Sequence, residues 1–467
     1  MRPGGSFRAL AAACGLAVAV ALYAGNHEHG FVFDDHTLVE ENPRVHSFDV
    51  GAAFTTPYWG PERNDGLYRP LTLLSFAVDW RLGAGGPGWF HIVNDLSHGL
   101  VAALVVLVAW ATVRSVFAGL AAGILFAAHP VHGEAVHWIA GRAELLAALF
   151  VLCALALTLV PRPIDARADR LRSLLLLVAG ILAILSKEHG VTALPLAILG
   201  AALFRAPGTR PFARNAVLAL GAVLALGGWL ALREAAVGDP TYATPVQDDP
   251  LVARAGLDRV AGALAVGLRW IEQLLLPLSS SVDYGAPQPL AGAVPVWLAA
   301  SGTTLVLAAL LGAALLLRRS RPAIAFWCAF LVVTYLPTSN LLFATGTVFA
   351  ERLLYLPSVG VCALLGAGLA SLQRRRVAIA LLAVLAGTYA ALTLARGPDW
   401  RSDRTLFEHE VAHPPYSARA AVNLANVAVP QSPGHGSGLH RTAPGLRDVP
   451  VEARRRGRRL GPSRAGR

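Results

Sequence analysis

The sequence predicts an all-α, polytopic membrane protein, and three observations carry that prediction. Hydrophobic residues make up 55% of the 467 and charged residues only 15%, where soluble globular chains carry roughly 25%. Apolar runs close to the ~20 residues that a spanning helix needs recur along the chain. The basic residues between these runs gather in short clusters, as cytoplasmic loops of membrane proteins do. The net charge of +11 is not a nucleic-acid signal. Residues 430–467 hold nine Arg against Asp448 and Glu452, so +7 of it sits in the tail.

The apolar runs are 7–24, 93–113, 115–128, 143–160, 172–186, 190–204, 213–232, 257–277, 291–317, 322–338, 353–371 and 377–395. The first is read as a retained membrane helix rather than a signal peptide, because no clean small-x-small cleavage pattern leads into a soluble domain. Arg162, Arg167, Arg170 and Arg172 crowd one loop, Arg205, Arg210 and Arg214 a second, Arg318, Arg319 and Arg321 a third, and Arg374, Arg375 and Arg376 a fourth. Placing all four inside conflicts with twelve crossings. The segment that gives way is 257–277, which carries Arg259, Arg269 and Glu272 and is expected to be interfacial or re-entrant. About eleven crossings follow, with the N-terminus inside and the C-terminus outside.

Several features bound the source and the redox setting. Lys occurs once, at Lys187, and Met once, amid an Arg, Ala, Gly and Pro bias typical of a GC-rich, hence bacterial, genome. Cys14, Cys153, Cys328 and Cys362 all lie within apolar runs. They read as small buried hydrophobes, not as a disulfide framework or a metal set.

With that topology the outer loops hold the chemistry. Residues 31–36 read Phe-Val-Phe-Asp-Asp-His, just past the first apolar run. Adjacent carboxylates can bind a cation, act as a general base, or cap a helix. Residues 129–142 contain His129, His132, Glu134, His137 and Arg142; residues 186–189 are Ser-Lys-Glu-His; residues 339–352 end in Glu351-Arg352. The histidines are not a His-Glu-x-x-His metal motif, because Gly133 intervenes. Glu134-x-x-His137 is half of a di-iron signature whose other half is missing. The expected role of these groups is therefore hydrogen bonding within a polar outer loop, with no resident metal. His91 and Asn94, where the second apolar run begins, read likewise.

Past residue 399 the chain turns soluble. Leu406-Phe407, Pro414-Pro415, Tyr416 and Asn423-Leu424-Ala425 suggest a partial tetratricopeptide helix pair over 399–429. Residues 430–467 switch abruptly to aperiodic Pro, Gly, Ser and Arg. They are expected to be disordered, and a frameshift or truncation of a longer repeat domain is suspected.

Taken in order, the motifs resemble those of a known family. They are Phe-Val-Phe-Asp-Asp (31–35), Tyr-Arg-Pro-Leu (68–71), His-Ile-Val-Asn (91–94), His-Pro-Val-His-Gly-Glu-Ala-Val (129–136), Gly-Arg-Ala-Glu-Leu-Leu (141–146), Lys-Glu-His-Gly (187–190) and Glu-Arg-Leu-Leu-Tyr-Leu-Pro-Ser (351–358). The set is similar to that of the transmembrane-and-tetratricopeptide-repeat O-mannosyltransferases and covers roughly residues 5–426. The resemblance implies a GT-C-like domain over 1–398. It implies transfer of a sugar, mannose by family habit, from a polyprenyl-phosphate donor such as dolichyl-phosphate mannose to Ser or Thr of an extracytoplasmic protein. In a bacterium the multi-pass chain would lie in the inner membrane with its active face periplasmic.

Such chemistry needs a base for the acceptor hydroxyl and cations for the leaving phosphate. Asp34 and Asp35 are the catalytic candidates for an inverting transfer, with a lean to Asp34, and a divalent cation at the pair is the alternative. Arg352 and Lys187 are the phosphate candidates, with Arg69 and Arg142 behind them. Glu188 and Glu351 are their neighbours in sequence and the simplest ion-pair partners. Two further readings stay open: a GT-C enzyme acting on a lipid or polysaccharide, and a non-enzymatic transporter or flippase. The last would place polar groups at the bilayer midplane, not at one face.

Overall fold

A computed structural model describes residues 5–61, 63–160, 166–204, 211–239, 244–246, 248–285, 290–414 and 417–428. Arg162, Arg205, Arg210, Pro415, Tyr416 and the 430–467 tail fall outside the described residues. The fold is helical, with no strand among the described residues. In chain order the helices are α1 (Gly5–Tyr23), α2 (Pro43–Ser47), α3 (Val50–Thr55), α4 (Pro70–Leu82), α5 (Pro87–Val113), α6 (Val116–Ala128), α7 (Gly133–His137), α8 (Arg142–Leu159), α9 (Ala166–Ser186), α10 (Ala193–Leu203), α11 (Pro211–Val237), α12 (Gly256–Leu275), α13 (Val296–Leu316), α14 (Pro322–Tyr335), α15 (Tyr355–Ser371), α16 (Arg375–Arg396), α17 (Asp403–Ala412) and α18 (Ala418–Ala428).

Among the described residues, seven helices are long and apolar enough to cross a membrane. An eighth span forms if α6 and the 130–137 segment, bent by 53°, count as one. Two shorter apolar helices, 188–203 and 322–338, accompany them. The chain is therefore a multi-pass membrane protein. The expected eleven crossings are reached only by adding these short pieces and α9. Helix α12 is not among the candidates, in keeping with its charged face.

Burial sorts the spans. In α5 and α15, 67% and 72% of the apolar window is enclosed by protein; in α11 and α13 only 11% and 17%. Helices α5, α6, α8 and α15 thus form the centre, where Val101, Leu125, Leu152 and Val359 meet. Helices α11 and α13 present Val223, Leu224, Leu305 and Leu316 outward, as lipid contact requires. Small residues set the close approaches: a Cβ on Gly366 of α15 would run into the Ala118 carbonyl of α6. The four cysteines are free, but Cys14 is exposed on the outside of α1 rather than buried, because that face of the helix has no protein partner.

Gly190 closes the turn that sets the 186–189 loop. A Cβ there would meet the backbone of Ala183 and Ile184, which cannot move without shifting α9. Gly190→Ala is expected to destabilise the protein by roughly 1–3 kcal/mol. Gly312→Ala on α13, where nothing lies within 4 Å, should be neutral or slightly stabilising. Thermal unfolding of the two variants in the same detergent checks the contrast.

Candidate active site

The acidic loop is held by its own strain and by its neighbours. Phe33 sits at φ +54°, a left-handed conformation that is costly for a bulky residue and is often found at functional sites. Asp35 is fully buried. Its Oδ2 accepts the Val32 N–H at 3.2 Å and its Oδ1 accepts the Ala140 N–H at 2.8 Å. Burial pushes the Asp35 carboxyl up to about 8, against the pull of those two donors. Asp34, next in the chain, keeps partial exposure and lies within electrostatic reach of Tyr58 and Arg419.

Residues 129–142 connect this loop to the cations. Ala140 holds Asp35, as above. Trp138 stacks on Phe33, ring centroids 5.8 Å apart, and the Arg352 guanidinium lies over the Trp138 ring at 5.3 Å. Glu134 accepts both the backbone N–H of Arg352, at 2.8 Å, and its guanidinium. One short stretch thus touches the acid pair and Arg352 together.

Lys187 donates to Glu144, the Glu of the Gly-Arg-Ala-Glu motif. Arg69 forks onto Glu188 with three contacts of 2.9–3.1 Å and lies 5.1 Å from the Tyr58 ring. Burial, offset mainly by Glu144, lowers the Lys187 ammonium to about 8, with Arg69 and Arg352 adding to the push. Three cations and three glutamates therefore form one coupled group beside the acidic loop. The neighbours in sequence are not the partners: Lys187 does not pair with Glu188, nor Arg352 with Glu351. Glu351 instead takes the Tyr284 hydroxyl at 2.6 Å and the Ser281 N–H at 2.8 Å.

Other expected residues are placed elsewhere. Arg142 is 1% exposed and donates to Asp79 at 2.7 Å, to the Phe90 carbonyl at 2.9 Å and to Asn94. Asn94 in turn donates to the Trp138 carbonyl at 3.0 Å, so the two brace the 129–142 stretch from behind. His91 reaches the Gly30 carbonyl. His129 turns toward the Leu274 carbonyl and His132 toward the Ser358 hydroxyl, both fully buried in the bundle. Among the described residues no group of three or more His, Cys, Asp or Glu is arranged to hold a metal ion. A water-sized opening of about 10 Å³ between Leu157, Arg172 and Leu218 lies at the far end of α8 from this cluster.

Sequence reasoning missed Tyr58, Glu144 and Asp403. Glu144 stood inside a quoted motif and was the most findable. Asp403, at the start of α17, looks like an ordinary first-turn acid. Yet its Oδ1 accepts the Phe33 N–H at 2.7 Å, and His36 donates to its Oδ2 at 2.9 Å.

Fold and site together define a multi-pass helical membrane protein with an acidic loop set against paired cations. No family model matches the chain. Relatives do: protein O-mannosyl-transferase TMTC4 of Mus musculus is 29% identical across 87% of this chain and 62% of its own length. Protein O-mannosyl-transferase TMTC3 of Homo sapiens is 28% identical across 84% of this chain and 46% of its own. A stretch covering 29% of this chain and 15% of protein O-mannosyl-transferase Tmtc2 of Drosophila melanogaster is 42% identical. Among solved structures, the archaeal oligosaccharyltransferase AglB of Archaeoglobus fulgidus, in complex with an inhibitory peptide and a dolichol-phosphate, gives a TM-score of 0.45 at 15% identity, over 92% of this chain and 60% of that one. Along most of its length the chain is similar to the protein O-mannosyl-transferases, and it spans less than two thirds of the length of the relatives it matches.

The acidic loop should loosen in alkali. The His36 imidazole is desolvated, yet hydrogen bonds to Asp403 and Glu40 raise it to about 9. A histidine raised above its unfolded value near 6.5 stabilises fully below that pH, and the contribution is lost as pH climbs through 9. The buried Asp35 acts in the same sense between about 4 and 8, since the folded state holds the proton longer. Stability should therefore fall from pH 6.5 to 9, and His36→Asn should flatten the upper part of that curve. Unfolding midpoints across this range are the check.

Proposed function

We propose that the chain is a bacterial membrane glycosyltransferase of the GT-C class. It moves a sugar, mannose by analogy with its relatives, from a polyprenyl-phosphate donor to Ser or Thr of a protein outside the cytosol. The observation that carries the reading is the 129–142 stretch, which ties the acid pair to Arg352 through Ala140, Trp138 and Glu134. A base and a phosphate-binding cation held by one rigid segment are what an in-line transfer needs. The names of the relatives support the reaction class.

Asp34 takes the proton of the acceptor hydroxyl as the oxygen attacks the anomeric carbon from the face opposite the phosphate. Asp35, with both oxygens bound to backbone N–H groups, fixes the loop that carries it. Arg352 is the cation best placed to meet the leaving phosphate: its side chain is 21% exposed, against 7% for Lys187. Lys187 and Arg69 add positive potential behind it, and their glutamates keep the resting site neutral. The group sits at one end of the spans, which favours transfer at a membrane face over transport through the midplane.

Asp34→Asn should abolish transfer while leaving folded protein in the membrane; wild-type turnover would reject the base. Arg352→Ala removes a charge-assisted contact worth about 1.5–3 kcal/mol, so donor affinity should drop roughly 10- to 100-fold. The assay incubates membranes with a polyprenyl-phosphate sugar and follows glycan on secreted proteins by mass spectrometry. A cation at the acid pair would have to break the Asp35 backbone bonds, so turnover is expected to survive EDTA.

A further inference from the structure

The helix pair that follows the last span is not a bystander to the acidic loop. The strap between α16 and α17 crosses the loop at successive points. The Arg401 carbonyl accepts the Gly30 N–H at 3.0 Å. The Asp403 carboxylate accepts the Phe33 N–H at 2.7 Å and the His36 ring N–H at 2.9 Å. Phe407, one helical turn on, packs edge-on against the Phe33 ring at 5.9 Å. Asp403 is therefore bonded on both sides of Asp34: to the residue before it, which holds the left-handed conformation at φ +54°, and to His36 two residues after it.

The role of α17's own cap does not account for this carboxylate. Ser402 and Thr405 already form the capping box, so the helix start has its partner without Asp403. The Asp403 side chain instead spans to residues some 370 positions earlier. A left-handed Phe33 carries backbone strain, and a charge-assisted bond to its amide offsets it. Arg419 of α18 pairs with Asp248, and α18 meets the acid loop through Ala420, which shares an apolar cluster with Val32 and Phe33.

We propose that Asp403 is a positioning residue: it holds Phe33 and His36 so that Asp34 points at the acceptor, and it thereby couples the soluble helix pair to the chemical step. The proposal rests on the reading of Asp34 as the base. It predicts an effect on kcat rather than on donor binding, because Asp403 touches neither the cation group nor Trp138. It also makes α17 the element through which whatever engages the helix pair would reach the membrane site.

The test measures full-length protein in lipid nanodiscs by hydrogen exchange and by transfer from a polyprenyl-phosphate mannose. Asp403→Ala should speed exchange across residues 31–36 and lower kcat about 10- to 100-fold, with donor affinity and exchange in α5 and α15 unchanged. Asp403→Asn keeps an acceptor for Phe33 and should fall between; Asp403→Glu should recover part of the rate. Faster exchange at 31–36 with wild-type kcat would overturn the coupling. Wild-type exchange in Asp403→Ala would overturn the clamp itself. If Asp403→Ala loses protection throughout the bundle, the milder Asp403→Asn and His36→Asn variants decide: equal loss of kcat and donor affinity in them would sink the proposal. Should Asp34→Asn turn over normally, the base assignment fails, and exchange at 31–36 still judges the clamp by itself.

Discussion

A carboxylate with no exposure to water has to find donors inside the protein, and Asp35 finds two backbone N–H groups. Leaving such a group unmatched costs about 1–3 kcal/mol, more when it is charged. The two bonds, to Val32 and Ala140, therefore fix the distance between the 31–36 loop and the 129–142 stretch. The rest of the site follows from that distance. Trp138 is then at stacking range of Phe33, and Glu134 is at bonding range of Arg352. Asn94 and Arg142 add rigidity from the buried side, since Asn94 binds carbonyls of the same stretch. The polar residues Asn94 of α5 and Arg142 of α8 serve as scaffolding for an irregular, buried segment whose own N–H and C=O groups need partners.

The cation group is built so that it is neutral at rest. Lys187 with Glu144, Arg69 with Glu188 and Arg352 with Glu134 each bring opposite charges together. Three uncompensated cations in so enclosed a place would repel and draw a large desolvation cost. Pairing removes that cost but leaves the site with little attraction for an anion until one pair opens. Arg352 is the most exposed of the three cations, although its partner Glu134 is buried, whereas in the Arg69 pair the more exposed member is Glu188. In this arrangement the glutamates set how strongly an anion would be held, and the cations supply the charge.

Much of the scaffold was legible in the sequence, because apolar composition and run length report directly on spans. The Phe-Val-Phe-Asp-Asp loop stood out as two acids beside aromatics just past an apolar run, but that pattern alone does not choose between base, cation ligand and helix cap. The ion pairs were not legible. Reading Lys187 against Glu188, or Arg352 against Glu351, assumed that adjacent residues face each other, which neighbours on a helix do not. The true partners lie 43 and 218 positions away, and only the packing of α8 against α9, and of α7 against the start of α15, brings them together. The burial of His129 and His132 was hidden for a similar reason. Their polarity suggested an outer loop, while α12, α15 and α16 close over them with a carbonyl or hydroxyl partner for each.

A single helix pair cannot bury both of its own faces, and the structure answers that problem with the acidic loop. Val32, Leu38 and Trp138 share one apolar cluster with Trp400, Leu406, Phe407 and Ala420. The core of the helix pair is thus completed by the aromatics that flank Asp34 and Asp35, and a division drawn at residue 399 runs through the middle of that core. Two consequences follow from this contact. The pair and the loop gain their order together, because neither has enough apolar area to hold its shape in water without the other. And a force applied to α17 is felt at Phe33 before it is felt in the spans, since Asp403 and Phe407 touch Phe33 directly.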